Sequence, residues 1–179
     1  MKKIYIPIIL GTGRKGRQSE QVAKLIFRHA KKLNIKTEII DVKNYASKFT
    51  IPSWIEDKRT APWKKIAQSA NAFFWIVPEY NHGYPGELKN VIDQAFSEYR
   101  DKPCSIAGVS NGGFGGTRAI ESFLHVLGAI GMILIPKQIN FSFVEKDFSE
   151  MSEKELDEKY SKKIKETFAV LIEYSNKLK

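Results

Sequence analysis

Residues 72–90 read AFFWIVPEYNHGYPGELKN, and the first six of them decide the fold. Residues 72–77 are apolar at every position, without the alternation of a strand that has one wet face, so both faces of this strand must be covered. Pro78 ends the run, and a loop of prolines, glycines and polar groups occupies residues 78–86. Leu88, Val91, Ile92, Ala95, Phe96 and Tyr99 then recur at helical spacing along one face, predicting a helix over 87–99. A doubly buried strand, a loop and an amphipathic helix make half of a βαβ crossover, the unit of a parallel sheet.

The same alternation runs outward in both directions. Residues 4–10 (IYIPIIL) read as a first strand, after which Ser19 is expected to cap a helix whose apolar face is Val22, Ala23, Ile26, Phe27, Ala30 and Leu33. Residues 36–42 form a second strand and residues 44–59, with Pro52 and Trp54, an irregular stretch. Pro62 suits the first turn of a short helix reaching about Ala70. Downstream come a fourth strand at 104–109, a helix at 118–129 and a fifth strand at 132–135. A capping box, Ser152-x-x-Glu155, opens a final helix carrying Leu156, Tyr160, Ile164, Phe168, Leu171 and Leu178 on one side. Five strands joined by right-handed crossovers predict an α/β doubly wound parallel sheet in the flavodoxin-like order 2-1-3-4-5, with helices on both faces. The whole of residues 1–179 reads as one domain. Pro7 lies inside the first, central strand and removes a ladder donor, so incomplete pairing is expected around it.

Apolar residues make up 42% and charged residues 27% of the chain, ordinary for a water-soluble globular protein. No apolar run approaches the roughly 20 residues that span a bilayer. Met1-Lys2-Lys3 leads into a strand rather than a signal peptide, so no membrane and a cytoplasmic location are expected. Cys104, the lone cysteine, rules out an internal disulfide and reads as a strand residue. The net charge of +9 raises nucleic acid as a partner. The lysines, however, alternate with glutamates, as at Glu153, Lys154, Glu155, Glu158 and Lys159, which is a solvated face, and no nucleic-acid-binding motif is found. His29, His82 and His125 lack metal-ligand spacing, so no metal is expected and each reads as structural or surface.

Ligands of an open parallel sheet bind beyond the carboxyl ends of its strands. Three unusual loops follow strands one, three and four, which adjoin in the expected order, so the loops converge on one crevice. The first, residues 11–19 (GTGRKGRQS), ends at a helix start, where free amides and the dipole favour an anion. Arg14 and Arg17 offer charged donors, and Thr12 and Ser19 hydroxyls. The loop is neither a Walker loop nor a clean dinucleotide fingerprint, although Asp41 stands where a ribose-binding acid would. In the second, residues 78–86, two prolines and two glycines make a rigid loop suited to presenting amides to the edge of a planar ring, with Tyr80 and Tyr84 able to pack on its face. The third, residues 110–116, has Gly112, Gly113, Gly115 and Gly116 within five positions, implying close backbone approach.

Together these loops resemble the NADPH-dependent FMN reductase family, which includes quinone, azo and chromate reductases. The first resembles G-[ST]-x-R-x-G-R-x-S at Gly11, Thr12, Arg14, Gly16, Arg17 and Ser19. The second resembles P-E-Y-N-x-x-x-P-G-x-L-K-N at residues 78–90, and the third S-x-G-x-x-G-G at Ser110, Gly112, Gly115 and Gly116. The resemblance covers most of residues 4–136 and implies an FMN site. The phosphate would lie on Gly11, Thr12, Arg14, Arg17, Gln18 and Ser19. The ring edge would meet Pro78, Glu79, Tyr80 and Asn81, mainly through backbone groups, and Ser110, Gly112, Gly113 and Gly116. Gly83 departs from the pattern, since serine is frequent there.

The resemblance further implies an NAD(P)H-dependent oxidoreductase working by ping-pong hydride transfer, with NADPH or NADH as donor and no catalytic side chain, because the flavin carries the chemistry. Its partners would be small-molecule electron acceptors: quinones, azo compounds, flavins or metal oxyanions. Family members commonly form homodimers or homotetramers, and the 87–99 helix with Phe96 and Tyr99 offers either a subunit face or core packing. The competing readings are a flavodoxin-like electron carrier or flavin-dependent regulator, against which stand the basic balance and the two loop arginines, and a nucleotide hydrolase, which lacks a Walker lysine.

Overall fold

The run singled out above forms β3 (Phe73–Pro78), buried at every position, in a computed structural model that describes residues 4–178. On one side β3 pairs in parallel with β1 (Ile8–Leu10), which in turn pairs with β2 (Ile39–Asp41). On the other it pairs with β4 (Pro103–Val109), beyond which lie β5 (Ile133–Leu134) and β6 (Ile139–Phe141), both parallel to β4. The order β2-β1-β3-β4-β5 is the one expected. Alternate residues of β3 serve opposite layers. Phe73, Trp75 and Val77 pack with Trp63 of α2 (Ala61–Ser69), Leu88 of α3 (Gly86–Ile92) and Phe123 of α4 (Thr117–Ala129). Phe74 and Ile76 pack with Val22 and Ile26 of α1 (Ser19–Lys32) and Phe168 of α6 (Glu153–Lys177).

The first strand is interrupted at Pro7, as expected, so regular pairing begins only at Ile8 rather than Ile4. Ile6 and Ile8 donate to Lys36 and Glu38 on the β2 side at 3.0 and 2.9 Å. The Pro7 carbonyl accepts from Phe74 N, but proline has no N–H to return. The second strand is correspondingly shorter than 36–42. Val42–Asn44 turns into a 3-10 helix because the Asp41 carboxylate accepts from Lys43 N.

The helix expected over 87–99 stops at Ile92. The Ile92 carbonyl accepts from Ala95 N (3.2 Å) and from the Tyr99 hydroxyl (3.1 Å), which itself accepts from Trp63 Nε1 (2.7 Å), while Phe96 N, the donor of a further α-turn, bonds Glu98 Oε2 (3.0 Å) instead. Tyr99 is therefore core, whereas Phe96 is exposed, and Ser97–Tyr99 is a separate 3-10 turn. Leu33 and Leu178, expected on buried faces, are exposed C-caps of their helices.

The fifth strand is split. Leu134 faces Cys104 and Ile139 faces Ala107, so residues 135–138 stand opposite only residues 105 and 106. Pro136 sits in this bulge, and Ser105 Oγ donates to the Lys137 carbonyl (2.6 Å). A short helix not foreseen from the sequence, α5 (Val144–Glu150), follows β6. The capping box at Ser152 and Glu155 forms in both directions. Asp157 of α6 holds three side chains of α1: Arg28 (2.6 Å), Lys32 (3.0 Å) and His29 (3.1 Å). His29 is thus a buried structural residue, while His82 and His125 are exposed.

Candidate active site

The three loops meet, as their strand neighbours require, around a crevice of about 370 Å³ at the carboxyl ends of β1, β3 and β4. The first loop starts with Gly11, whose N–H donates to the Ile76 carbonyl (2.9 Å); a Cβ there would lie 2.5 Å from that oxygen, so only glycine fits. Thr12 is buried and does not line the crevice. Its Oγ1 donates to Glu87 Oε1 (2.7 Å), which leaves the Tyr80 hydroxyl to donate to Thr12 (3.1 Å).

The two arginines of this loop part company. Arg17, with 6% of its side chain exposed, is bound to Asp41 by Nη1 (3.0 Å) and Nη2, and it donates to the Thr12 carbonyl. The Asp41 hydrogen bond raises the Arg17 pKa against the opposing effect of burial. Burial pushes the Asp41 carboxyl up, but the hydrogen bonds from Arg17 and Lys43 outweigh it and hold the group below its ordinary range. Arg17 lines the crevice, but its guanidinium is committed to Asp41 and the Thr12 carbonyl, so it serves as a strut for the loop, with Asp41 as its partner. Arg14 is exposed at the crevice, 5.4 Å from the Tyr80 ring centroid, and has no carboxylate partner among the described residues.

Ser19 is not the N-cap. Gln18 holds that position in helical geometry without a side-chain cap bond, and Ser19 is the first residue of α1. At 1% exposure its Oγ has no hydrogen-bond partner. An orphaned hydroxyl, a first helical turn in which Gln21 N is bonded to the Gln18 carbonyl (3.0 Å), and a guanidinium without a carboxylate partner together make a site suited to a phosphate.

In the second loop Tyr80 and Gly83 exchange both backbone hydrogen bonds at 2.9 Å, and Asn81 and His82 have φ of 48° and 66°. This is a two-residue hairpin of the I′ kind, which Gly83 helps to close in place of the more frequent serine. The amides of Glu79 and Tyr80 are spent on Val109 and Gly83. Asn81 is exposed at the hairpin tip, outside the crevice lining. Pro78 and the Glu79 side chain do line the crevice. Glu79 Oε1 accepts from Arg118 (2.6 Å), whereas the buried Oε2 has no partner and is free to accept from a ligand N–H.

In the third loop Ser110 lines the crevice and its Oγ accepts from Gly112 N (2.8 Å). Gly112 and Gly113 lie outside the lining, and Gly116 has a packing reason: its φ is +80° and a Cβ would come within 2.6 Å of Val109 N. Five contributors were not foreseen, among them Val109 at the end of β4. Asn111 and Glu145 hold each other reciprocally at 2.8 and 3.0 Å, and with Val144 they form the far wall. Glu87 braces the first loop from below. Nothing in the sequence marks Val144 or Glu145, because they reach the crevice only through the β6–α5 turn.

Fold and site together define a flavodoxin-like α/β protein with the start of α1 at the mouth of its crevice. The chain belongs to the NADPH-dependent FMN reductase family, whose profile matches residues 4–146, and it is accordingly an NAD(P)H-dependent, FMN-using oxidoreductase. It is similar to the NAD(P)H-dependent FMN reductase LOT6 of Saccharomyces cerevisiae, with 28% identity over 148 residues (73% of this chain and 76% of the relative). It is also similar to a quinone reductase of Pseudomonas putida, with 28% identity over 140 residues (69% and 72%). Among solved structures, FerB, a flavoenzyme NAD(P)H:(acceptor) oxidoreductase of Paracoccus denitrificans, shares the fold at a TM-score of 0.77 and 19% identity over 97% of this chain and 98% of its own. A flavodoxin mutant of Pseudomonas aeruginosa does so at 0.58 and 16% over 98% and 99%. Among the described residues no helix is long and apolar enough to cross a membrane, and no cluster of His, Cys, Asp or Glu is placed to hold a metal.

Proposed function

We propose that this chain binds FMN with its phosphate at the start of α1 and its ring edge between the Tyr80 hairpin and Ser110. We further propose that reduced nicotinamide and a small-molecule acceptor use the same exposed side of the crevice in turn, in ping-pong order. The observation that carries this reading is the pairing of the orphaned Ser19 hydroxyl with the unpaired Arg14 guanidinium at a helix start. Ser19 Oγ has no hydrogen-bond partner and Arg14 no carboxylate among the described residues, and a dianionic ligand group would supply a partner to each.

Bound FMN supplies the hydride chemistry, and the protein supplies place and field. Arg14 and the first-turn amides fix the phosphate end, and Ser19 donates to it. Glu79 Oε2 offers a fixed acceptor for a ring N–H, held in place by Arg118 on the other oxygen. The acceptors expected are quinones, azo compounds, flavins and metal oxyanions, of which quinones are supported by the quinone reductase among the relatives. Self-association into a homodimer or homotetramer is supported by exposed Trp54, Phe49 and Phe96. The buried free thiol of Cys104 suits the reducing cytoplasm.

The test is an anaerobic visible spectrum of the protein reconstituted with FMN, before and after NADPH. Bleaching of a bound-flavin spectrum supports the assignment. Bound flavin that NADPH leaves oxidised points to an electron carrier or regulator, and failure to bind flavin overturns the site.

A further inference from the structure

Glu87 occupies a variable position of the second loop's motif, yet its carboxylate is the point on which two of the three crevice loops converge. Oε1 accepts from Thr12 Oγ1 (2.7 Å) and from Gly13 N (2.9 Å). Thr12 Oγ1 in turn accepts from the Tyr80 hydroxyl (3.1 Å) and from Arg14 N (3.3 Å). One carboxylate oxygen therefore orders, directly or through one hydroxyl, the backbone at residues 13 and 14 and the ring of Tyr80. The amides of Gly13 and Arg14 are consequently turned inward, away from the crevice, and the residues left to line it from this loop are Arg14 by its side chain and residues 16–19. Tyr80 is also the ring over which the Arg14 guanidinium lies, at 5.4 Å, so the same network sets that side chain from both ends.

We infer that Glu87 is a positioning residue for phosphate recognition: it acts through Thr12, Gly13 and Tyr80 to hold the Arg14 end of the first loop in its binding geometry, and it touches no ligand itself. This inference rests on the phosphate placement proposed above. A carboxylate is an unexpected choice beneath an anion site, since its charge opposes that of a phosphate. What the geometry requires of it is an oxygen that accepts twice, and Arg17, fixed to Asp41 nearby, offsets the charge.

The test compares FMN with riboflavin, which carries the same ring without the phosphate. Dissociation constants for both are measured by fluorescence quenching on the full chain, for the wild type, Glu87→Ala, Glu87→Gln and Thr12→Val. Glu87→Ala is expected to weaken FMN by about tenfold or more, because lost hydrogen bonds to a charged group are of that size, while leaving riboflavin within about twofold, because the Tyr80 hairpin beside the ring edge keeps its own backbone bonds to Gly83. Glu87→Gln keeps an oxygen that accepts from both partners, and is expected to bind FMN at least as tightly as the wild type. Thr12→Val leaves Glu87 in place but cuts Tyr80 and Arg14 from it, so it should erode the FMN preference even where Glu87→Ala folds poorly. Equal loss of both ligands, no loss of either, or a Gln variant as weak as the Ala variant overturns the inference. A wild type that binds both flavins equally would instead overturn the phosphate assignment on which it rests.

Discussion

Removing either partner of the Arg17–Asp41 pair should destabilise the protein more than it harms ligand binding by direct contact. The pair lies under the first loop, with 6% and 14% of the two side chains exposed and Nη1 3.0 Å from Oδ1. At that distance, with an effective dielectric constant of about 20, the gross attraction is about 5 kcal/mol. Loss of hydration for a largely buried guanidinium offsets much of it, leaving a net coupling of about 2–3 kcal/mol. Arg17→Met also removes the donor to the Thr12 carbonyl and leaves Asp41, among the described residues, with Lys43 as its charged partner. Urea unfolding of Arg17→Met, Asp41→Asn and the double variant measures the coupling directly, since the two sites share one interaction. The Asp41 pKa is depressed in the folded state, so its stabilisation is present above the unfolded value of about 3.9 and is lost as the pH falls through the lower, folded value. The coupling should therefore be full at pH 7 and fade in acid below about pH 4. A coupling under about 0.5 kcal/mol at pH 7, or an Arg17→Met protein of wild-type stability that has merely lost FMN, would refute the strut and restore Arg17 as a phosphate ligand.

Three further outcomes follow from the geometry. Arg14→Ala should raise the FMN dissociation constant by about tenfold with an unchanged melting temperature, since the side chain is exposed and unpaired by carboxylate; isothermal titration and a thermal melt check both halves. Asp157 is pulled to a pKa of about 2: burial pushes it up, but hydrogen bonds from Arg28 and Lys32 prevail. Asp157→Asn should thus cost about 1 kcal/mol at pH 7, discounted for its partial exposure, and the difference from wild type should close as the pH drops from about 4 to about 2 in melts across that range. Phe168→Ala, at a fully buried ring 5.2 Å from Phe74, should cost about 3–5 kcal/mol in denaturant titration while the folded fraction keeps its FMN affinity.

The order of the sheet was legible because its signals are local: an uninterrupted apolar run for β3, the isoleucine-rich run at the first strand, and three loops at matching strand ends. What the sequence concealed depends on atoms brought together from afar. No periodicity reveals that Glu98 would take the Phe96 amide, or that Tyr99, seven residues beyond Ile92, would fold back onto that carbonyl where α3 ends. The helix spacing at Phe96 and Tyr99 was real but belonged to two different elements. The charge of Arg17 was legible and its commitment was not, since Asp41 lies on another strand and shows its partner only when β1 and β2 are paired. Ser19 read as a cap because hydroxyls before apolar periodicity generally are, but the helix begins one residue earlier than a cap there would allow. Glu145 and Val144 carry no signal, because the bulge at Pro136 decides where the chain after β6 arrives.

That bulge and the brevity of β2 have a consequence for self-association. The segment 73–77 is the kind of dense, uncharged, β-prone run that nucleates intermolecular strands, and here it lies in the centre of the sheet with partners on both sides. The two borders of the sheet offer little to an incoming chain. On one, β2 is three residues long; on the other, two- and three-residue strands are separated by a proline-containing break. Strand-mediated aggregation is thus expected from the unfolded chain, with a rate that follows the population exposing β3. Replacing Pro136 to straighten the outer strand would lengthen the border and give the native state a template for aggregation that it now lacks.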